Sequence, residues 1–320
     1  MEFSLANTFQ AVRASFGDAW RVAFNLYKVM IPIIIGVKIL VEFDLVSYVA
    51  LPLKPLMSLT GLPADLGLVW AFAIIVNIYA SLLVMASILP SLPELSVAQT
   101  TTFAVMVLFA HGLILESRIA QQCGVSFGVQ FCIRLGGALL CGMLMHLLYS
   151  STGTLQQPAN FLLPSVGTDP TLLAWMRSEV LNLFYIFWIV LGLMILQRLL
   201  VYSKTDLLLG LLFSPLFKLF GLSPKAATCI VVGFSMGLLY GSGIIIRESQ
   251  AGTLSRKDVF CAITLIGLAH ALIEDTLLML LIDGHISGVL GLRVIFALAL
   301  SLCITRIYNF FTAQPPERTA

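Results

Sequence analysis

The sequence predicts an all-α, polytopic membrane protein with eight to ten transmembrane helices, most simply ten, in two inverted repeats. Three observations support this prediction. The first is composition, since 59% of the 320 residues are hydrophobic and 11% are charged, whereas a soluble domain carries about 25% charged residues. The second is a series of long apolar segments, and the third is an internal repeat. So much apolar side chain cannot be hidden in a compact core and must face lipid.

Composition and motifs argue against several classes of function. The net charge is +2, which gives no basis for nucleic-acid binding. The six cysteines are scattered without a CxxC pair, so we expect small buried helix residues rather than disulfides or metal ligands. Neither a phosphate-binding loop, a dinucleotide fingerprint, HExxH nor a catalytic serine–histidine arrangement occurs. We therefore expect no enzymatic activity, no ATP-driven pumping and no cofactor.

Apolar segments near the 20 residues that a span needs follow one another along the chain. The strong ones lie at about 26–42, 65–90, 100–120, 128–149, 180–203, 225–247, 258–282 and 287–311. Two weaker ones, 44–61 and 205–221, contain prolines. Ahead of them, hydrophobic residues recur at helical spacing among charged residues over 3–24, which predicts an amphipathic helix on the membrane surface.

The two halves of the chain resemble each other. "PLMSLTGLP" at 55–63 matches "PLFKLFGLS" at 215–223, an offset of 160 residues. "AHGLILES" at 110–117 matches "AHALIEDT" at 269–276, an offset of 159. Offsets so nearly constant indicate an internal duplication.

A linker rich in Ser, Thr, Gly and Pro separates the two halves. The predicted domains are an interfacial helix at 1–25, a first repeat at 26–149, the linker at 150–172, a second repeat at 173–311 and a tail at 312–320.

Positive charge indicates how the repeats are oriented, because Lys and Arg collect on the cytoplasmic side. The loop at 248–257 is flanked by basic residues and should be cytoplasmic, whereas its counterpart at 90–99 has none and should be outside. These assignments fit five spans per half if 44–61 and 205–221 also cross. An odd number of spans inverts the second repeat and leaves both termini cytoplasmic.

This ten-span topology has one weakness. Lys218 and Lys225 fall on the outer side, against the charge rule. The alternative is eight spans, with 44–61 and 205–221 as re-entrant segments.

A glycine-rich segment in the second half has two interpretations. "GFSMGLLYGSG" at 233–243 has glycines four apart, which is typical of close helix packing through small residues. It is equally typical of an interrupted helix whose freed backbone groups meet a solute. On the second interpretation the solute would contact Ser235, Tyr240 and Ser242, and in the first half Asn77 and Tyr79.

Ionisable residues inside apolar segments are functional candidates, because each is costly in lipid unless it is paired. Asp275 and Arg293 lie nine residues either side of Gly284 in a predicted turn. Helices running to and from that turn place the two side chains at matching depth. Glu116 and Arg134 repeat the arrangement in the first half. Each pair is either a static salt bridge within a hairpin or a charge pair that opens during transport.

His111 and His270 occupy equivalent positions in the two halves. His270 and Glu274 are four residues apart, which puts them on one face of a continuous helix, with Asp275 pointing away. Leu115 stands where Glu274 would have its repeat partner, so this acid is unmatched. A His–Glu pair can bind a proton or a divalent cation, but two ligands are too few to predict a metal site. The alternative is a histidine that is hydrogen-bonded between helices.

Two stretches resemble a known family. The block from "GLSPKAATCIVVGFSMGLLYGSGIIIRES" (221–249) through "LAHALIEDTLLM" (268–279) resembles the gate domain, or nucleoside-recognition domain. That domain occurs in bacterial ferrous-iron transporters, concentrative nucleoside transporters and spore-maturation membrane proteins. The resemblance covers about 45–150 and 205–310 and implies a stand-alone member of this group. The sequence has no GTPase domain, lacks the gate-motif cysteine of the iron transporters, and has nothing similar to a nucleoside site, so the resemblance implies no particular substrate.

The sequence thus predicts an integral protein of the bacterial cytoplasmic (inner) membrane, most simply a secondary transporter of a small polar solute or ion. Its site would lie near mid-membrane between the halves, with His111, His270 and Glu274 nearest the solute or coupling ion. The two acid–arginine pairs would brace or gate that site. The alternative is a non-transporting membrane scaffold of the spore-maturation type, which assembles with a membrane partner protein or with copies of itself.

Overall fold

A computed structural model describes residues 5–43, 45–163, 171–203 and 205–312, and all regular secondary structure in these ranges is helical. The first half contains α1 (Leu5–Glu42), α2 (Val46–Ala50), α3 (Lys54–Leu59), α4 (Leu66–Ile75), α5 (Ile78–Ile88), α6 (Val97–Ala110), α7 (Leu113–Gln122) and α8 (Phe127–Thr152). The second contains α9 (Leu172–Tyr202), α10 (Thr205–Leu219), α11 (Pro224–Met236), α12 (Leu238–Gln250), α13 (Arg256–Ala269), α14 (Glu274–Leu280) and α15 (Arg293–Thr312), and a π-helical turn, Ser287–Leu292, precedes α15. The predicted all-α class is confirmed for these residues.

Six helical stretches among the described residues are long and apolar enough to cross a membrane. They are Trp20–Glu42, Val97–Gln122, Phe127–Thr152, Leu172–Leu200, Arg256–Leu280 and Ser287–Phe311. Three lie in each half of the chain. This is fewer than the ten spans predicted, because several of the predicted segments fold into shorter helices.

The first helix joins two predicted segments. α1 is a single helix of 38 residues, so it runs without interruption through the predicted boundary at residue 25. It packs along α9, where the Tyr27 hydroxyl donates to the carbonyl oxygen of Leu183 at 2.6 Å. Of the predicted linker, residues 164–170 lie outside the described part of the chain, as does the predicted tail from residue 313.

Matching caps begin equivalent helices. Ser96 and Gln99 form a reciprocal capping box before α6, and Ser255 and Asp258 form one before α13. Each box satisfies two backbone amides that would otherwise lack a partner at a helix start. Ser223 caps α11, with Pro224 at its first position, as the sequence predicts.

Helices α11 and α12 form a hairpin rather than one long helix. The chain reverses at Gly237, whose φ of +93° favours glycine. Gly233 and Gly241 approach closely across the hairpin, since a Cβ on Gly241 would lie 2.9 Å from the Cα of Gly233. At the open end, Lys225 Nζ lies 3.3 Å from Glu248 Oε2, although a continuous helix would separate these residues by about 35 Å. Both interpretations of the glycine-rich segment therefore describe part of it.

Helices α4 and α5 form the corresponding hairpin in the first half. The chain breaks at Val76 and Asn77, and the Asn77 side chain caps α5 by accepting a hydrogen bond from the amide of Ala80 at 2.9 Å. Gly61, before α4, and Glu94, after α5, line one cavity of about 290 Å³. The two open ends of this hairpin therefore lie together.

The helix that follows each hairpin is interrupted, and the hairpin satisfies its freed amides. Between α6 and α7, the Gly112 amide donates to the carbonyl oxygen of Ala73 at 2.8 Å. Between α13 and α14, the Ala271 amide donates to the carbonyl oxygen of Gly233 at 3.1 Å. Buried backbone groups need such partners, so each interruption depends on the hairpin beside it.

Loop contacts define two ends of the molecule. The acidic end, named for Glu94 and Asp283, comprises residues 60–61, 91–101, 155–162 and 281–287. Thr100 donates to the carbonyl oxygen of Asp283 at 3.1 Å, and the Asp283 carboxylate accepts from the amide of Asn160 at 2.8 Å. Gln99 donates to the carbonyl oxygen of Gly61 at 3.0 Å. These bonds bring the four segments together.

The opposite end is rich in Lys and Arg. This basic end comprises residues 118–126, 218–225, 247–258 and 304–311. The Ser223 amide donates to Asp258 Oδ1 at 3.0 Å. A cavity of about 770 Å³ is lined by Cys123, Arg256 and Phe311 from three of these segments.

The contacts at the basic end show that the predicted crossing of residues 225–247 is wrong. Lys225 and Glu248 lie together, so α11 and α12 return to the end from which they start. Lys218 lies one turn before Gly221, which approaches Lys257 at the same end. The two lysines that conflicted with the charge rule are therefore on the same side as the other basic residues.

The weak segments also differ from the ten-span prediction. The segment 44–61 is divided into α2, a short 3₁₀ turn and α3, and 205–221 forms the 15-residue α10. Prolines 52 and 55 interrupt the first segment, as expected for residues without a backbone N–H. Among the described residues, neither segment yields a helix of spanning length.

We expect Lys225→Cys and Glu248→Cys to be joined by a short thiol-specific cross-linker, in a background with the six native cysteines replaced. The hairpin brings these positions together, whereas one continuous helix would hold them about 35 Å apart. The measurement is cross-linking within one chain in membranes, followed by denaturation and chemical cleavage at Met236, which lies between the two positions. Lys225→Cys with Asp283→Cys is the matched control and should not react, and efficient linkage of only the control pair would contradict the hairpin.

Candidate functional site

The centre of the candidate site lies where α6 and α13 end. His111 ends α6 and His270 ends α13, both with extended backbone. Each ring turns back onto its own helix. Nδ1 of His111 lies 3.2 Å from the carbonyl oxygen of Val107, and Nδ1 of His270 lies 3.1 Å from that of Ile266. The last turn of each helix therefore orients its imidazole.

The two histidines meet at the centre of the molecule. Their Nε2 atoms are 3.1 Å apart, and their ring centroids are 4.9 Å apart. His111 is 6% exposed and His270 is 4% exposed. Equivalent residues of the two halves are thus in direct contact inside the protein.

Arg134, on α8, is fully paired in the first half. Its Nε donates to the carbonyl oxygen of Phe109 at 2.9 Å, and its Nη2 donates to that of His111 at 3.0 Å. Its Nη1 pairs with the Glu116 carboxylate. The guanidinium therefore binds both the free carbonyls at the end of α6 and the acid, which is favourable because a helix C-terminus attracts positive charge.

Arg293, the first residue of α15, makes fewer bonds in the second half. Its Nη2 donates to the carbonyl oxygen of His270 at 2.9 Å and to Asp275 Oδ2 at 3.3 Å. Its Nε and Nη1 are buried without a hydrogen-bond partner among the described residues. Both predicted acid–arginine pairs are formed, but only in the first does every guanidinium nitrogen have a partner.

Carboxylates flank the paired imidazoles on both sides. Glu116 Oε1 lies 3.8 Å from His111 Nε2 and 3.6 Å from His270 Nε2. Asp275 Oδ2 lies 3.9 Å from His270 Nε2. These distances are too long for hydrogen bonds but short enough for a strong coulombic interaction in a buried site.

Glu274 lies beside the site without an arginine. Its Oε1 accepts a hydrogen bond from the Tyr79 hydroxyl at 3.3 Å, which links the second half to the first. The predicted pairing of His270 with Glu274 on one helix face is wrong, because the helix is interrupted between them and α14 begins only at Glu274. It is Asp275 that lies near His270.

Other predicted residues lie in the hairpins and serve the backbone. Asn77 caps α5. Ser235 and Ser242 donate to the carbonyl oxygens of Val232 and Leu239 in their own helices, at 3.2 and 3.0 Å. These side chains stabilise the two hairpin tips locally.

Tyr240 is the repeat counterpart of Tyr79. It is 54% exposed, whereas Tyr79 is partly buried and bonded to Glu274. The difference matches the sequence. Leu115 is the repeat counterpart of Glu274, so Tyr240 has no acid to bind where Tyr79 binds Glu274. The structure therefore brings Tyr79 to the site and leaves its counterpart outside.

Sequence reasoning missed Gln130 and Thr264. The Gln130 amide donates to the Thr264 hydroxyl at 2.8 Å, and both residues are 1% exposed. Gln130 lies one turn before Arg134 on α8, and that spacing on an apolar helix was the available signal. The bond joins the two halves next to the charged centre.

Three ligand atoms are close enough to suggest a metal site. Atoms of His111, His270 and Asp275 lie within 4.8 Å of one another. However, Arg134 and Arg293 already neutralise the two nearby carboxylates, Glu116 and Asp275. With Glu274 counted as the one carboxylate without an arginine, a divalent cation would leave an excess of one positive charge in a buried site, which is costly. The arrangement suits a smaller charge better.

Comparison with known proteins places the chain among membrane proteins. No model of a known protein family matches the sequence, and no solved structure shows significant similarity to it. The uncharacterized membrane protein YvoD of Bacillus subtilis (strain 168) is 26% identical over 301 residues, which cover 92% of this chain and 94% of that protein. Together with the six apolar helices, this relative supports a multi-pass membrane protein.

We expect Asp275→Asn and Arg293→Gln each to destabilise the protein, and the double variant to recover much of the loss. Either single change leaves one buried charge without its counter-ion, which costs about 3–5 kcal/mol. The measurement is thermal unfolding of the purified protein, with Glu94→Gln at the exposed acidic end as control. Two single variants as stable as the unmodified protein would contradict a buried ion pair.

Proposed function

We propose that this protein is a secondary transporter of a small polar solute or ion, with its site at the His111–His270 contact between two inverted repeats. The observation that carries the proposal is the meeting of equivalent imidazoles, 3.1 Å apart, amid buried charges from both halves. Ionisable groups inside a membrane segment are costly and are typically kept for function.

Helix directions support the inverted arrangement. α1 and α9 run antiparallel, since Trp20 contacts Phe187 with ring centroids 5.9 Å apart, whereas Lys38 lies 5.8 Å from the ring of Trp175. α6 and α7 lead from the acidic end to the basic end, and α13 and α14 lead the opposite way. Equivalent helices that point in opposite directions are what a two-fold axis in the membrane plane requires.

The proposed topology has three spans per half. These are the six long apolar stretches. The hairpin of α4 and α5 enters from the acidic end, and that of α11 and α12 enters from the basic end. α10 packs along α11, where the rings of Phe213 and Phe234 have centroids 5.1 Å apart, so α2, α3 and α10 are placed beside the hairpins that they precede. Three is an odd number, so the repeats remain inverted.

The charge rule orients this topology. The basic end carries most of the Lys and Arg residues of the loops and is proposed to be cytoplasmic, and the acidic end is proposed to face outward. Both termini then fall on the cytoplasmic side, in the cytoplasmic membrane of a bacterium. The hairpin folding of α11 and α12 strengthens this assignment, because it moves Lys218 and Lys225 to the basic end.

The site is built to be exposed alternately to the two sides. Each hairpin tip accepts a backbone hydrogen bond at the interruption beside the histidines, at Ala73 and at Gly233. A shift of one hairpin would open a route to the site from one end only. The acid–arginine pairs would hold the closed side, and Tyr79 and Glu274 would couple the halves. Such gating requires two alternative arrangements of packed elements.

The resemblance to gate domains is part of this proposal. In the described chain, the quoted motif of the second half covers the hairpin of α11 and α12 and the interruption between α13 and α14. The name of the relative from Bacillus subtilis states only that it is a membrane protein. The alternative is a non-transporting membrane scaffold, which would show neither solute binding nor uptake in liposomes.

Cysteines placed singly in the loops near residues 125 and 284 should differ in labelling from outside the cell. The loop near 284 belongs to the acidic end and should react with an impermeant maleimide, and the loop near 125 should react only after the membrane is opened. A cysteine at position 225 should behave like the one near 125. Equal labelling of both loops in intact cells would contradict the inverted topology.

Purified protein in liposomes should accumulate a solute that also raises its melting temperature. A thermal-shift screen of nucleosides, divalent metal ions and organic anions selects the solute to be used for uptake. Glu274→Leu, which introduces the residue type of the repeat position Leu115, and Tyr79→Phe should each lower uptake about tenfold or more, a loss of about 1.4 kcal/mol, because each removes the hydrogen bond between the halves. Tyr240→Phe is the matched control and should not. Stable protein with neither binding nor uptake would favour the scaffold.

A further inference from the structure

The hydrogen bonds of the paired histidines fix which ring nitrogens carry protons. Nδ1 of His111 faces the carbonyl oxygen of Val107, and Nδ1 of His270 faces that of Ile266, at 3.2 and 3.1 Å. A carbonyl oxygen only accepts, so each Nδ1 must carry the hydrogen. A neutral imidazole protonated at Nδ1 has a lone pair at Nε2.

Two such lone pairs would face each other at the centre of the protein. The Nε2 atoms are 3.1 Å apart, which is an ordinary length for a hydrogen bond with nitrogen as the donor. Without a hydrogen between them, two acceptors would be held in contact in a buried site, and this is unfavourable.

We propose that one proton is bound between Nε2 of His111 and Nε2 of His270, which forms an imidazolium–imidazole pair. The proton is taken up from water, forms an N–H bond with one ring and is accepted by the lone pair of the other. The two rings bind it as a unit, one from each half. In the proposed transporter this proton would be the coupling ion, and that role rests on the proposed function. The binding of the proton between the two rings does not require transport.

The surrounding charges favour a single positive charge at this position. Three carboxylates belong to the cluster, Glu116, Glu274 and Asp275, and two of them are paired with Arg134 and Arg293. The third, Glu274, accepts only from the uncharged Tyr79 among the contacts described here. With all three carboxylates ionised, three negative and two positive charges leave one negative charge, and one bound proton brings the sum to zero.

Other occupants fit the charges less well. Two protons would give an excess of one positive charge, and so would a divalent cation. With no proton, one negative charge and two opposed lone pairs stay buried. The carboxylate oxygens of Glu116 and Asp275, 3.6 and 3.9 Å from His270 Nε2, stabilise the shared charge without taking the proton in a hydrogen bond.

Nuclear magnetic resonance of the full chain in lipid bilayers, with histidine rings labelled with ¹⁵N, tests the proposal directly. The chain has four histidines, so each signal can be assigned by replacing one residue with Gln. We expect both interior rings to keep Nδ1 protonated, with one proton shared between the Nε2 atoms and seen as a ¹⁵N–¹⁵N coupling. His111→Gln or His270→Gln should each abolish this coupling.

The exposed histidines and acids supply matched controls. His146→Gln and His285→Gln should leave the coupling unchanged. Glu274→Gln removes the balancing negative charge, so the pair should bind its proton about tenfold more weakly, and its loss should move about one pH unit lower. Glu94→Gln, at the acidic end, should not move it. If Glu274→Gln does not fold, the result for the unmodified protein still decides.

The possible results separate this proposal from the transport proposal. The proposal of a shared proton would be overturned if both Nε2 atoms were unprotonated, or both protonated, at every pH at which the protein stays folded. Two interior rings that titrate independently without a coupling would also overturn it. A ¹⁵N–¹⁵N coupling in protein that transports nothing would support the shared proton and count against the transporter. Solute uptake by protein without the coupling would support the transporter and count against the shared proton.

Discussion

An ionised group taken from water into apolar surroundings must be compensated by an opposite charge and by hydrogen bonds, and the centre of this fold follows from that constraint. α6 and α13 stop at His111 and His270 and leave carbonyl groups free inside the protein. An arginine from the neighbouring helix binds those carbonyls and in turn needs an acid, which the next helical segment supplies. Broken helices, arginines and acids are thus a single arrangement that occurs twice, and removing one member leaves the others unsatisfied.

The hairpins meet the same requirement for the backbone. Interrupting a helix frees amides as well as carbonyls, and the tips of the two hairpins accept hydrogen bonds from these amides. Only a helix of about half the usual length brings its end to the middle of the protein, which accounts for the lengths of α4, α5, α11 and α12. Glycine at 233 and 241 allows one hairpin to close tightly enough. Ser235 and Ser242 satisfy their own helices and leave the centre to the charged groups.

Much of this site could be predicted from spacing alone, because the predicted internal repeat aligns Glu116 with Asp275 and Arg134 with Arg293, and equal distances from a turn imply equal depth. The hairpins could not. The largely apolar segment 225–247 has the same hydropathy whether it crosses once or turns back at Gly237, and only contacts such as that of Lys225 with Glu248 distinguish the two. The interruption after His270 was also hidden, since Ala271 adopts the left-handed conformation that Gly112 supplies in the first half. In a continuous helix Glu274, four residues after His270, would lie beside it, and the sequence therefore predicts Glu274 there instead of Asp275.

The unequal pairing of Arg134 and Arg293 would give the proposed conformations different energies. Identical inverted halves would make the inward-open and outward-open forms degenerate, because exchanging the halves converts one form into the other. Here every guanidinium nitrogen of Arg134 has a partner, whereas two buried nitrogens of Arg293 have none among the described residues, and a buried N–H group without a partner costs about 1–3 kcal/mol. The degeneracy is therefore lifted, and the side held by Asp275 loses less when its ion pair opens. The molecule would then have a preferred resting form even when the solute concentrations on the two sides are equal.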